Sequence, residues 1–165
     1  MNATHWDHFL LWAPPQTTRD NQMNLRLWRA LDRVADPDAT IAVAWAGVFP
    51  YYSGHHCCDM LGKCDHHIAR LPARRGIRRA GHNKFDLEYT LSVQRPDVVL
   101  HAFTPLLRQS YRPVRVTIDG EAVAFYVRRS TPYVHGGRRV THAAACEIIP
   151  SMRHAPAESD SGRRP

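Results

Sequence analysis

The apolar run from Ile41 to Ala46, closed by Gly47, constrains the fold of this chain more than any other stretch. An unbroken apolar run bounded by glycine predicts a strand covered on both faces, as in a parallel sheet under helices. Gly47 and Gly54 lack a Cβ and so let the backbone leave such a strand sharply. Between them lies an aromatic turn, Phe49-Pro50-Tyr51-Tyr52, and beyond them a second apolar step, Met60-Leu61-Gly62, sits between Asp59 and Asp65. Polar groups just past a strand's carboxyl end stand where open α/β sheets collect ligands. A site is therefore expected within Ile41 to Arg70.

The flanking segments fit the same plan. Leu25, Trp28, Leu31 and Val34 recur on one face, widened by Leu27, and predict a helix from Asp20 or Asn21 to about Ala35. Asp36-Pro37-Asp38 ends it, because the residue before proline is pushed out of helical angles. Phe85 with Tyr89, and Leu87 with Leu91, predict a short helix over residues 84–93, stopped by Arg95-Pro96. Asp97 to Leu100 is a second short buried strand. Val114, Val116 and Ile118 then alternate with Arg115 and Thr117, and Asp119-Gly120 is a hairpin turn before Ala122 to Val127. The predicted fold is α/β: a mainly parallel, Rossmann-like sheet with an antiparallel hairpin at its C-terminal side. Residues 1–20 are expected to be an irregular lead-in, with Trp6, Phe9, Leu10 and Trp12 laid on a neighbouring surface. Residues 21–149 form a single domain, Val140 to Ile149 being helix or strand, and 150–165 a flexible tail.

Composition narrows the chemistry. A length of 165 residues with 44% hydrophobic content suffices for one core. No window approaches the roughly 20 apolar residues of a membrane helix. Met1 to Pro15 lack the basic start and apolar segment of a secretory signal. The net charge of +7 admits an anionic partner, or serves solubility alone. His55, His56, Cys57, Cys58, Cys64, His66 and His67 invite a zinc reading, but their spacing matches no usual ligand pairing. Cys57 and Cys58, adjacent on a strand, would face apart. A zinc-binding module built on His55 to His67 remains an alternative, although no metal is expected. Asp59, Asp65 and Asp86 are candidates for acid/base or cation chemistry, or for turn caps, and His82 with Lys84 for an anion-binding pair. Arg70, Arg74, Arg75, Arg78 and Arg79 form a basic run that meets phosphates or is simply a solvated loop. A basic nucleic-acid-binding domain using this run is a further alternative, although the lack of interleaved aromatics counts against nucleic acid as the partner. There is no phosphate-binding glycine loop, nucleophile elbow or metal-binding histidine pair on a helix, and no cofactor is expected.

The words AGVFPYYSG, DMLGKCDHHIAR and GHNKFDLEYTLSVQRPDVVL, in that order, carry a resemblance. Through Gly47, Tyr51, Tyr52, Ser53, Asp59, Leu61, Gly62, Asp65, His67, Ile68, Ala69, Gly81, His82, Lys84, Asp86, Arg95, Pro96 and Asp97, residues 38–101 resemble the soluble carboxyl-terminal domain of bacterial polyprenyl-phosphate-sugar-dependent membrane glycosyltransferases. These are the arabinofuranosyl- and mannosyltransferase-like proteins of the cell envelope. Cys57, Cys58, Lys63 and Cys64 depart from their pattern. The resemblance implies an extracytoplasmic domain, detached from a catalytic membrane portion and unable to transfer sugar alone. It further implies recognition of acceptor glycan, polyprenyl-phosphate sugar or lipid-phosphate headgroups, with Tyr52, Asp59, Asp65, His82, Lys84 and Asp86 converging on one pocket.

Overall fold

The computed structural model describes residues 16–77, 81–101 and 106–139. The expected lead-in contacts of Trp6, Phe9, Leu10 and Trp12, the segment from Val140 to Ile149, the tail, and Arg78 and Arg79 of the basic run lie outside them. The amphipathic stretch forms α1, Gln16–Asp32, which starts before the predicted caps and ends short of Ala35. Leu27, Ala30 and Leu31 are its buried face. After it come β1 (Ile41–Val43), α2 (Val48–Ser53), β2 (Cys57–Asp59) and α3 (His66–Arg70). A π-helical segment, Tyr89–Gln94, stands where an α-helix was predicted. Then follow β3 (Val98–Val99), α4 (Leu107–Ser110), β4 (Tyr111–Ile118), β5 (Glu121–Arg128) and β6 (Arg138–Arg139).

The strand order is β2-β1-β3-β5-β4-β6. β1 runs parallel to both β2 and β3, which bears out the parallel pairing of the two apolar runs. The mainly parallel, Rossmann-like sheet does not form. β5 pairs antiparallel with β3 through Val98↔Val127 and Val99↔Tyr126, and β4 pairs antiparallel with both β5 and β6. The parallel strands are only 2–3 residues long whereas β4 and β5 have 8 each, so the hairpin supplies most of the ladder. The result is a mixed sheet with few helices. Asp119 (φ 50°) and Gly120 (φ 79°) make the hairpin turn as predicted, since two positive φ angles match the twist of the joined strands.

Both sheet faces are covered. Ile41, Val43, Val98, Val114, Phe125 and Val127 meet Leu27, Leu31 and Phe49 on one face. Ala42, Cys58, Val99, Tyr111 and Tyr126 meet Met60 and Leu107 on the other, with Leu87 and Leu91 packed alongside. Cys57 and Cys58 therefore divide between the two layers, Cys57 against the first and Cys58 within the second.

The parallel and antiparallel halves are fastened at Asp97, which is 3% exposed. Its carboxylate accepts from the Thr40 amide (2.9 Å), the Thr131 hydroxyl (2.6 Å) and the Arg128 guanidinium. Its carbonyl accepts the Arg128 amide (2.8 Å). Burial alone would raise the carboxyl, but the Thr131, Thr40 and Arg128 bonds outweigh it and hold the group below its ordinary range.

Candidate functional site

The expected site residues sit mostly on backbone. Asp59, 3% exposed, accepts the Leu61 amide at 2.9 Å and the Cys64 amide at 2.6 Å, which winds the turn after β2. Asp65 caps α3 by accepting the Ile68 amide at 2.8 Å and takes a further bond from Gln94 Nε2 at 2.8 Å. Asp86 accepts the Tyr89 amide at 2.9 Å and faces His67 at 3.4 Å. The Tyr89 amide is the main cause that lowers its carboxyl, with His67 assisting against slight burial. Lys84 Nζ donates to the Ala69 carbonyl at 2.6 Å, satisfying an acceptor near the end of α3. Together these bonds tie α3 to the segment 84–94. Tyr52 is exposed on α2 and stacks on Trp28 at 6.0 Å between ring centroids.

Asp59→Ala is accordingly expected to lower stability by about 2–3 kcal/mol, because two backbone donors lose a charged acceptor inside the protein. Chemical denaturation checks the loss. Ligand affinity of the folded fraction should stay as it was.

The space lies next to this scaffold, at the carboxyl end of β1. A cavity of about 390 Å³ is lined by Asp20, Asn21 and Asn24 of α1, Trp45 to Val48 of the β1–α2 connection, Lys63 and His82. Its size falls in the ordinary range of small-molecule pockets. The place follows from the topology. β1 lies between β2 and β3, so the chain leaves it toward one neighbour through α2 and returns past it to the other. Such reversals open a crevice beyond the strand ends. Of the six expected residues only His82 lines the cavity.

Asn24 is the residue that sequence reasoning missed. It is 3% exposed, its Nδ2 donates to the Asp20 carbonyl at 2.8 Å, and its Oδ1 has no donor among the described residues. The signal was its spacing: Asn24, Leu27 and Leu31 share one helix face, so a polar side chain stands on the buried stripe. Trp45 is held from behind by His101, whose ring centroid lies 4.7 Å away. His101 Nδ1 accepts the Ala44 amide at 3.3 Å, leaving the proton on Nε2, which is enclosed with no acceptor among the described residues. Burial lowers this imidazole to about 3, so the ring behind Trp45 is neutral at physiological pH.

The metal reading finds no geometry. Among the described residues no three His, Cys, Asp or Glu side chains are placed to hold an ion together. His55 Nδ1 instead lies 3.1 Å from the Pro37 carbonyl.

A family model described as Domain of unknown function (DUF8728) matches residues 13–141. The chain belongs to that family. The matched span of this DUF8728 domain includes every strand and every cavity residue described above. No curated protein and no solved structure matches the chain. Among the described residues of the DUF8728 domain no helix is long and apolar enough to cross a membrane.

Proposed function

We propose that this domain is a recognition module that seats one hydroxyl-bearing ring, a sugar unit of a glycan or of a polyprenyl-phosphate sugar, in the cavity beyond β1. In this reading it is the recognition part of a cell-envelope glycosyltransferase and does not transfer sugar by itself. The observation that carries the reading is the pocket of ligand size whose wall includes Asn24, a buried amide whose oxygen has no donor among the described residues. A buried acceptor left unpaired costs about 1–3 kcal/mol, a cost that a ligand hydroxyl removes once the amide turns its oxygen toward the cavity. The remaining lining suits the same ligand. Trp45 offers an apolar ring face, Asp20 and Asn21 offer acceptors, and Lys63 and His82 offer donors for hydroxyl or phosphate oxygens. Gly47 and His82, on which the glycosyltransferase resemblance partly rests, both line the cavity.

Titration calorimetry with arabinose, mannose and their 1-phosphates tests it. Saturable binding is expected for at least one of these. Asn24→Leu should weaken it tenfold or more while leaving stability unchanged or higher, since leucine suits the buried stripe. The reading fails if the parent protein binds none of them, or if Asn24→Leu binds as the parent does.

A further inference from the structure

A basic edge lies at the other end of the sheet. Arg115 on β4 stands directly opposite Arg138 on β6, and Arg139 stands opposite Val114. Arg112 lies on β4 two residues from Val114, and so on the Arg139 side. Arg129 follows β5 and is tied to α4, its amide bonded to the Ser110 carbonyl at 2.8 Å and its guanidinium to the Arg108 carbonyl at 3.4 Å. None of these arginines meets a carboxylate among the described residues. Three arginines elsewhere do meet carboxylates: Arg26 pairs with Glu121, Arg29 with Asp119 at 3.5 Å, and Arg128 with Asp97.

Like charges directly opposite across strands are unfavourable, yet the backbone holds this register tightly. A Cβ on Gly137 would lie 2.2 Å from Val114 Cγ1, and one on Gly136 would lie 2.7 Å from Val34 Cγ1. Only glycines bring the segment this close, and the Ala35↔Val134 bridge fixes it from the other side. Arg112 bears the consequence: partial burial, then the nearby Arg139 and Arg129, lower its affinity for its proton.

We infer that this edge is a docking surface for the phosphates of an anionic lipid bilayer. Guanidinium forks match phosphate oxygens in pairs. Arginines on both sides of a single edge strand reach one plane beyond it, and a headgroup layer presents phosphates in a plane. Leu106, 51% exposed at the start of α4, adds an apolar side chain beside Arg108 that an interface takes up and a nucleic-acid backbone does not. Among the described residues none of these arginines lies over an aromatic ring, as Arg74 does over Phe85.

Co-sedimentation with vesicles of phosphatidylglycerol and phosphatidylcholine, against phosphatidylcholine alone, tests the inference. Binding is expected to the anionic vesicles only and to disappear at high salt. Arg115→Gln with Arg138→Gln should weaken it about 25-fold, at about fivefold per charge removed. Arg115→Lys with Arg138→Lys should retain most of it, and Arg29→Ala, which removes a charge already paired with Asp119, should change little. Circular dichroism verifies that the exposed variants fold. Equal binding to neutral vesicles, an unchanged double glutamine variant, or tighter binding to duplex DNA at the same salt would overturn the inference, the last in favour of nucleic acid. Sugar binding in the cavity is read separately and is independent of every outcome.

Discussion

Asp97→Ala is expected to cost about 3–5 kcal/mol, the range for removing one partner of a buried ion pair. The carboxylate serves the Thr40 amide ahead of β1, the Arg128 guanidinium at the end of β5 and the Thr131 hydroxyl beyond it. Its removal strands the Arg128 charge and two neutral donors at the junction where the sheet changes from parallel to antiparallel. Domains of this size hold about 5–15 kcal/mol in all, so the variant should be marginally folded. Urea denaturation checks it, with a lower midpoint at unchanged slope as the expected signature. Asp97→Asn keeps an acceptor but loses the counter-charge, and should fall between parent and alanine. A loss below 1 kcal/mol for alanine would mean that the junction is held by packing alone.

Acid should weaken the fold well above the carboxylate range. His101 titrates at about 3 in the folded protein, against an ordinary value of 6.5. Its imidazole is neutral in both states above pH 6.5. Between 6.5 and about 3 the unfolded chain takes up a proton that the folded protein refuses, so stability falls as pH falls. The slope approaches about 1.4 kcal/mol per pH unit, and several kcal/mol are lost across the window. The Asp97 and Asp86 carboxyls lie below the ordinary 3.8, and their contribution is lost only as pH falls from there through their folded values. The interval from 6.5 to 4.5 therefore lies clear of these two carboxyls, and a His101 variant separates its share from that of the other histidines. His101→Asn preserves an acceptor for the Ala44 amide and removes the titration. Its midpoint in urea should fall less over that interval than that of the parent. Parallel pH profiles for the two proteins would contradict the assignment.

The sequence made the pieces of this fold legible and the arrangement of the sheet much less so. Asp119-Gly120 identified its turn because two consecutive positive φ angles demand such residues. The stripe of α1 was visible because 17 helical residues display a period. β1, β2 and β3 are too short to display one. Covered on both faces, their residues look alike whether the neighbour runs parallel or antiparallel. The decisive pairing, β3 with β5, joins segments separated by a short helix and the strand β4, and nothing in Val98 or Val127 names its partner. The same holds at the site. Asp59, Asp65 and Asp86 stood out as isolated carboxylates near turns, which is the pattern of caps and the use that the structure makes of them. Asn24 drew no notice in a helix read for its apolar positions, although a polar side chain on that stripe was the stronger mark of a pocket.

The split of Cys57 and Cys58 between the two layers bears on how such a domain withstands oxidation. Their sulfurs point to opposite sides of β2, so a bond between them would require unmaking the strand. Burial raises both thiols, that of Cys58 to about 11, and keeps the nucleophilic thiolate scarce at neutral pH. Neither sulfur is equipped to enter thiol–disulfide exchange while the strand is intact. Both sulfurs should therefore oxidise slowly as long as the strand stays intact.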